Sequence, residues 1–169
     1  MRRTVVVAVA AALLLALSAG TAMAVVLNGT AGDDRLVGTF GDDTLAGRGG
    51  NDALFGLGGA DFLDGEDGRD LVRGNAGNDR AAGGAGGDRV QGGLGSDLVS
   101  GVGGNDAIFG GPGPDAINGG LGNDLIFSGE TQAAPSRDQV FCGPGLDRVS
   151  ADALDQIAGD CEAVDLIPS

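Results

Sequence analysis

Gly101-Val102-Gly103-Gly104-Asn105-Asp106-Ala107-Ile108-Phe109 and Gly119-Gly120-Leu121-Gly122-Asn123-Asp124-Leu125-Ile126-Phe127 are two copies of one nine-residue phrase. Reading outward from them, aspartate recurs at Asp34, Asp43, Asp52, Asp61, Asp70, Asp79, Asp88, Asp97, Asp106, Asp115 and Asp124, eleven times at an interval of nine. A glycine stands five residues before each, from Gly29 to Gly119, and another two before each, from Gly32 to Gly122. Two residues after each comes Leu36, Leu45, Leu54, Leu63, Val72, Ala81, Val90, Val99, Ile108, Ile117 or Ile126. The unit is G-x-x-G-x-D-x-U-x, with U aliphatic, unbroken across residues 29–127.

Period nine has a direct physical reading. The residues x-U-x make a minimal strand whose middle side chain points one way and whose flanks point the other. The stretch G-x-x-G-x-D makes a turn tight enough to need positive φ, which glycine supplies at little steric cost. Two units close one 18-residue coil with a strand on each side, and coils stacked about 4.8 Å apart give two parallel sheets. The expected fold is all-β, a parallel β-roll (β-solenoid) of 18-residue coils. One aliphatic side chain per nine residues is a thin core, and it does not offset the ordering of so glycine-rich a backbone. Aspartates stacked in register also repel one another. The array therefore calls for cations on its turns. Ca²⁺ suits them, because it takes six to eight oxygen ligands and combines carboxylates with carbonyls. An aspartate that merely caps its own turn is replaceable by Asn or Ser, yet all eleven positions are Asp. These eleven aspartates are the candidate metal ligands. Successive turns lie on opposite edges, so an ion sits between turns n and n+2, pairing Asp34 with Asp52 and so on to Asp106 with Asp124. The residue before several of them, Asp33, Asp42, Asn51, Asn78, Asn105 or Asn123, reads as a turn former tolerant of left-handed backbone, with a ligand role open only to the two aspartates.

The phrase closely resembles the glycine-rich nonapeptide of the RTX, or haemolysin-type, calcium-binding repeat family. The resemblance implies a calcium-loaded β-roll with the ions held by the Asp column in the manner just described. It also exposes a departure. The glycine that the family carries as the second residue of the repeat stands here only at Gly84, Gly93, Gly111 and Gly120.

Composition narrows the function. The chain has 35 glycines among 169 residues, no Trp, Tyr, His or Lys, and a formal charge of −14. So acidic a surface argues against nucleic acid and against docking on anionic lipid. Without His there is no Ser–His or Cys–His nucleophile pair, and without Lys no P-loop or Schiff base. The paired carboxylates are already engaged as calcium ligands, so the chain reads as no enzyme. Residues 1–24 read as a signal peptide: Arg2-Arg3, an apolar run from Val5 to Leu17, and an A-x-A site at Ala22-Met23-Ala24. The run is short for a transmembrane span, so no membrane insertion is expected. Loss of the two arginines takes the formal charge from −14 to −16.

The mature chain divides into a calcium-binding roll over 25–132 and a cap over 133–169. In the cap the rhythm returns, degenerate, at Asp138-Gln139-Val140, Asp147-Arg148-Val149 and Asp155-Gln156-Ile157. Cys142 and Cys161, about one coil apart, are expected to form a disulfide that locks it. The expectation is a secreted, extracellular calcium-ion-binding protein that folds on binding Ca²⁺. The alternative is a calcium-dependent adhesion or assembly protein with a matrix or cell-surface partner. That alternative draws on an outward apolar strip, Val37, Phe55, Phe109 and Phe127 beside Leu71 and Leu125.

Overall fold

The computed structural model describes residues 6–9, 23–129 and 136–167. Among these, seventeen strands follow one another with no helix. They are β1 (Val6–Val9), β2 (Val26–Asn28), β3 (Asp34–Val37), β4 (Thr44–Ala46), β5 (Ala53–Gly58), β6 (Phe62–Asp64), β7 (Leu71–Ala76), β8 (Arg80–Ala85) and β9 (Arg89–Leu94). There follow β10 (Leu98–Gly103), β11 (Ala107–Phe109), β12 (Ala116–Leu121), β13 (Leu125–Phe127), β14 (Gln139–Phe141), β15 (Arg148–Ala151), β16 (Gln156–Ile157) and β17 (Ala163–Leu166). Odd-numbered strands form one nine-stranded sheet in chain order, and even-numbered strands form an eight-stranded one. Every pairing is parallel, and within the array each residue pairs with the one eighteen positions on, as Leu54 does with Val72 and Val99 with Ile117. This is the parallel β-roll that the nine-residue period predicts.

The aliphatic column forms the core. Leu36, Leu45, Leu54, Leu63, Val72, Val90, Val99, Ile108 and Ile126 are wholly buried, and Val140 and Val149 of the degenerate repeats extend the row. Several strands run to six residues rather than three, because the pairing continues through the following glycine and into the turn, as at Leu57–Asn75 and Gly58–Ala76.

Outward on the nine-stranded sheet, Val37, Phe55, Leu71, Phe109 and Phe127 are half-buried, while Leu125 is 41% exposed. Phe109 and Phe127 lie face to face with centroids 4.6 Å apart, and the guanidinium groups of Arg35 and Arg89 cover Phe55 and Phe109 at 4.8 and 4.5 Å. Contacts of this kind contribute about 0.5–1 kcal/mol each at exposed sites.

Both ends continue the sheets. Strand β1, within the segment read as a signal peptide, pairs with β3 from Val6–Asp34 to Val9–Val37. The rest of that segment up to Ala22 lies outside the described residues. At the other end β14, β15 and β16 are the three degenerate repeats, and β17 adds a strand that the rhythm did not announce. Cys142 and Cys161 are disulfide-bonded with Cα atoms 5.2 Å apart, and Cys142 sits in the core. A loop of this length contributes about 3 kcal/mol. Because the array ahead of Cys142 makes its own pairings, the double variant Cys142→Ala/Cys161→Ala is expected to loosen the cap alone. Hydrogen exchange in calcium should keep protection across residues 38–118 and lose it beyond residue 136. Loss along the whole roll would mean that the cap nucleates the fold.

Candidate functional site: the stacked aspartate turns

Each closing aspartate of the array is at most 4% exposed. Burying so many carboxylates is costly unless each oxygen finds a partner. One oxygen does. The backbone N–H of Asp34 donates to Oδ1 of Asp52 at 2.7 Å, that of Asp52 to Asp70 at 2.7 Å, that of Asp79 to Asp97 at 2.8 Å, and that of Asp106 to Asp124 at 2.9 Å. From Asp52 on, each carboxylate thus holds the amide of the equivalent aspartate one coil earlier. The ladder brings together the n and n+2 aspartates paired in the sequence. It survives the phase break: the amides of Asp115 and Asp124 donate to Asp138 and Asp147, each 23 residues on.

The second oxygen is different. Oδ2 of Asp52, Asp61, Asp70, Asp79, Asp88, Asp97, Asp106 and Asp124 is buried and accepts no hydrogen bond. Each points at the first glycine of its own repeat, beside a carbonyl oxygen from the next coil. A methyl group on Gly83 would lie 2.6 Å from Asp88 Oδ2 and 2.9 Å from the Gly101 oxygen; on Gly92 it would lie 2.5 Å from Asp97 Oδ2 and 2.8 Å from the Gly110 oxygen. Glycine is required here for space, so that two hard oxygens can converge where any side chain would intrude.

Burial pushes these carboxyls up, against the pull of the amide each one accepts. Asp70 is raised to about 7, and Asp61, Asp97 and Asp106 to about 6. Neighbouring carboxylates one coil away, Asp88 and Asp52 around Asp70 and Asp79 beside Asp97, push in the same direction. Asp52, Asp79, Asp88 and Asp124 are also raised by burial. Rows of buried acids facing carbonyls are short of positive charge, and oxygen-only donors of this kind fit a hard divalent cation. Shallow grooves follow the two turn edges, one of about 610 Å³ past Asp52, Asp70, Asp88 and Asp106, the other of about 440 Å³ past Asp79, Asp97 and Asp115.

The residues before the closing aspartates correct one expectation. Asn51, Asn78, Asn105 and Asn123 do not take positive φ; glycines such as Gly50, Gly77, Gly104 and Gly122 just ahead of them do. Their side chains instead form an exposed ladder of opposite sense. Asn78 Oδ1 accepts from the Ser96 amide at 2.9 Å, Asn105 from Asn123 at 2.8 Å, and Asp42 from Ala60 at 2.8 Å. The physical reason is that the glycine absorbs the left-handed step and leaves the Asx side chain free to stack.

Two acids end the buried ladder, Asp155 of the last degenerate repeat and Glu162, which sequence reading missed. Asp155 Oδ1 accepts from the Asp138 amide at 3.1 Å, and Glu162 Oε2 from the Asp147 amide at 2.8 Å. Glu162-Ala163-Val164 carries the D-x-U spacing with one methylene more, a signal hidden by its departure from the period.

The family model described as the RTX calcium-binding nonapeptide repeat (4 copies) matches residues 28–63, 64–99 and 100–130. That span is more than half of the chain and contains all eleven regular turns. The fold and turn chemistry define a parallel calcium-binding solenoid, and this chain belongs to the RTX calcium-binding nonapeptide repeat family. No curated protein matches it significantly.

Proposed function

We propose that this protein is exported and that its roll becomes ordered when Ca²⁺ binds between the stacked Gly/Asp turns, with ligands drawn from the column Asp34 to Asp124. The observation that carries the reading is the row of buried Oδ2 atoms without a donor, each set against a backbone carbonyl of the next coil. Bound Ca²⁺ supplies positive charge and six to eight coordination positions for oxygen. The chain's own part is to stack the carboxylates in register and clear the space with glycine, while Oδ1 remains on the backbone ladder. Residues 1–24 act as the export signal in this reading, and residues 133–169 as the cap. Cleavage after Ala24 takes β1 away from β3 and leaves β3 as the first strand of its sheet.

Far-UV circular dichroism of the mature chain tests the proposal. In chelator at neutral pH the spectrum should be coil-like, and calcium should convert it to β-rich with a midpoint of about 10⁻⁴–10⁻³ M, whereas Mg²⁺ should do so poorly. A β-rich spectrum unmoved by chelator would sink folding on binding. A second reading, assembly through an outward face, draws on Phe62 and Leu98, which are 46% and 50% exposed on either side of Arg80 along the eight-stranded sheet. Sedimentation in calcium distinguishes it, since a monomer at high concentration speaks against self-assembly.

A further inference from the structure

Two turns of the array are built differently from the rest. In the nine repeats beginning at Gly47, the second residue takes positive φ whatever its identity: Arg48 at 78°, Leu57 at 82°, Glu66 at 68°, Asn75 at 80° and Val102 at 80°, with Gly84, Gly93, Gly111 and Gly120 alike. For side-chain-bearing residues, a β-branched valine above all, this conformation is sterically unfavourable and persists only where the surroundings enforce it. In the first two repeats the second residue is Thr30 or Thr39, and neither takes positive φ.

The two threonines do something that the other nine residues do not. Thr30 donates its backbone N–H and its Oγ1 hydroxyl to Oδ2 of Asp34, at 2.5 and 2.9 Å. Thr39 donates its backbone N–H to Oδ2 of Asp43 at 2.5 Å; its Oγ1 lies 3.1 Å from the same oxygen and 2.6 Å from the carbonyl oxygen of Met23, which cleavage after Ala24 would remove. Oδ1 of Asp43 in turn accepts from the Val25 amide at 2.7 Å. Both oxygens of Asp43 are therefore satisfied by the protein, and Asp34 has its Oδ2 satisfied while its Oδ1 accepts nothing. From Asp52 onward Oδ2 is the orphaned atom at eight of the remaining nine closing aspartates. The two classes of turn separate together on backbone conformation and on the state of Oδ2.

We propose that Thr30 and Thr39 close the first two turns in place of a cation, so that the calcium sites of the array begin at Asp52. The inference rests on the reading that the Asp turns bind calcium, and it narrows that reading. A left-handed second residue withholds its amide from the carboxylate and leaves Oδ2 for an ion. A threonine in ordinary backbone turns two donors onto the same atom. Of the nine n and n+2 pairs in the column, the two that involve Asp34 or Asp43 drop out, and seven remain, from Asp52–Asp70 to Asp106–Asp124. The first coil then needs no ion of its own and offers the next coil a formed surface on which to stack.

Equilibrium dialysis of the full mature chain with radioactive calcium at saturation, checked for fold by circular dichroism, tests this. The wild type sets the reference count, because the ladder runs on past Asp124 to Asp138 and Asp147, and the differences between variants decide. Asp43→Asn should leave the count unchanged, Asp97→Asn should lower it by one or two, and Thr39→Gly should raise it by one. A fall with Asp43→Asn equal to that with Asp97→Asn would overturn the inference while leaving the calcium reading intact. Absence of binding by the wild type would instead overturn the calcium reading itself. Should Asp43→Asn not fold, Thr39→Gly decides, since it keeps the aspartate and widens the backbone's freedom: one further ion supports the proposal, and an unchanged count overturns it.

Discussion

Freed of calcium and moved from pH 7.5 to pH 5, the chain is expected to gain a large part of the β-rich signal that the proposed folding on calcium would leave absent at neutral pH. The cause is the burial of its aspartates. Asp70 is raised to about 7 and Asp61, Asp97 and Asp106 to about 6 in the folded state, from an ordinary value of 3.8. A carboxyl whose folded pKa is raised binds its proton more tightly in the folded chain than in the unfolded one. Its contribution to stability is fully present below about pH 4 and is lost as pH rises through 6 to 7. Protons at pH 5 thus neutralise the same buried oxygens that calcium is proposed to neutralise at pH 7.5. The converse follows for the loaded protein, whose calcium midpoint should rise as pH falls from 7 to 5 because protons compete for Oδ2. Circular dichroism of dialysed, calcium-free protein across that range is the check. A flat, coil-like signal down to pH 5 would show that charge on the Asp column is not what keeps the empty array open.

The second large effect concerns two glycines two residues apart. At Gly101 a methyl group would run into Asp106 Oδ2 and the Gly119 carbonyl oxygen, whereas at Gly103 it would meet nothing within 4 Å. Gly101→Ala removes space where the carboxylate and the next coil's backbone converge, and neither can retreat without breaking the stack. We expect a loss of about 3 kcal/mol, at the upper end of overpacking effects, together with a calcium midpoint at least tenfold higher. Gly103→Ala should be neutral or stabilising by about 0.4–1 kcal/mol, since it restricts the unfolded chain without strain in the folded one. Thermal melts of both variants in calcium separate them. Equal destabilisation would mean that glycine serves the turn through flexibility alone and not through the space it leaves.

The contrast between these two glycines also marks where sequence reading succeeds and where it stops. Period nine with one aliphatic per unit leads directly to two parallel sheets, to the buried column from Leu36 to Ile126, and to the stacking of Asp n upon Asp n+2. It extends to the degenerate coils, because Val140, Val149 and Ile157 keep their distance from Asp138, Asp147 and Asp155 even where glycine thins out. What it leaves open is decided by single atoms. Whether Oδ1 or Oδ2 holds the neighbouring amide depends on the rotation of a carboxylate between two coils, which no spacing encodes. Left-handed backbone at Leu57 or Val102 runs against the preferences of those residues and is imposed by the stack. Asn51 and its equivalents were misread for the same reason in reverse: their own tolerance for a left-handed step is not used when a glycine stands immediately before them.

The carboxylate ladder gives the roll a head and a tail. Every rung of the buried row points the same way, with a later residue's side chain grasping an earlier residue's backbone, so the two faces exposed by cutting between coils are unlike. A cut leaves the upstream piece with bare amides and the downstream piece with bare carboxylates. Growth at the tail therefore needs an incoming acid, which Asp155 and Glu162 provide at the last coils, while growth at the head needs only an incoming N–H, which Val25 provides. Two such rolls meeting tail to head would find complementary ends, and two meeting tail to tail would not. In this the molecule is a short polar filament, with a defined plus and minus end written into a single chain.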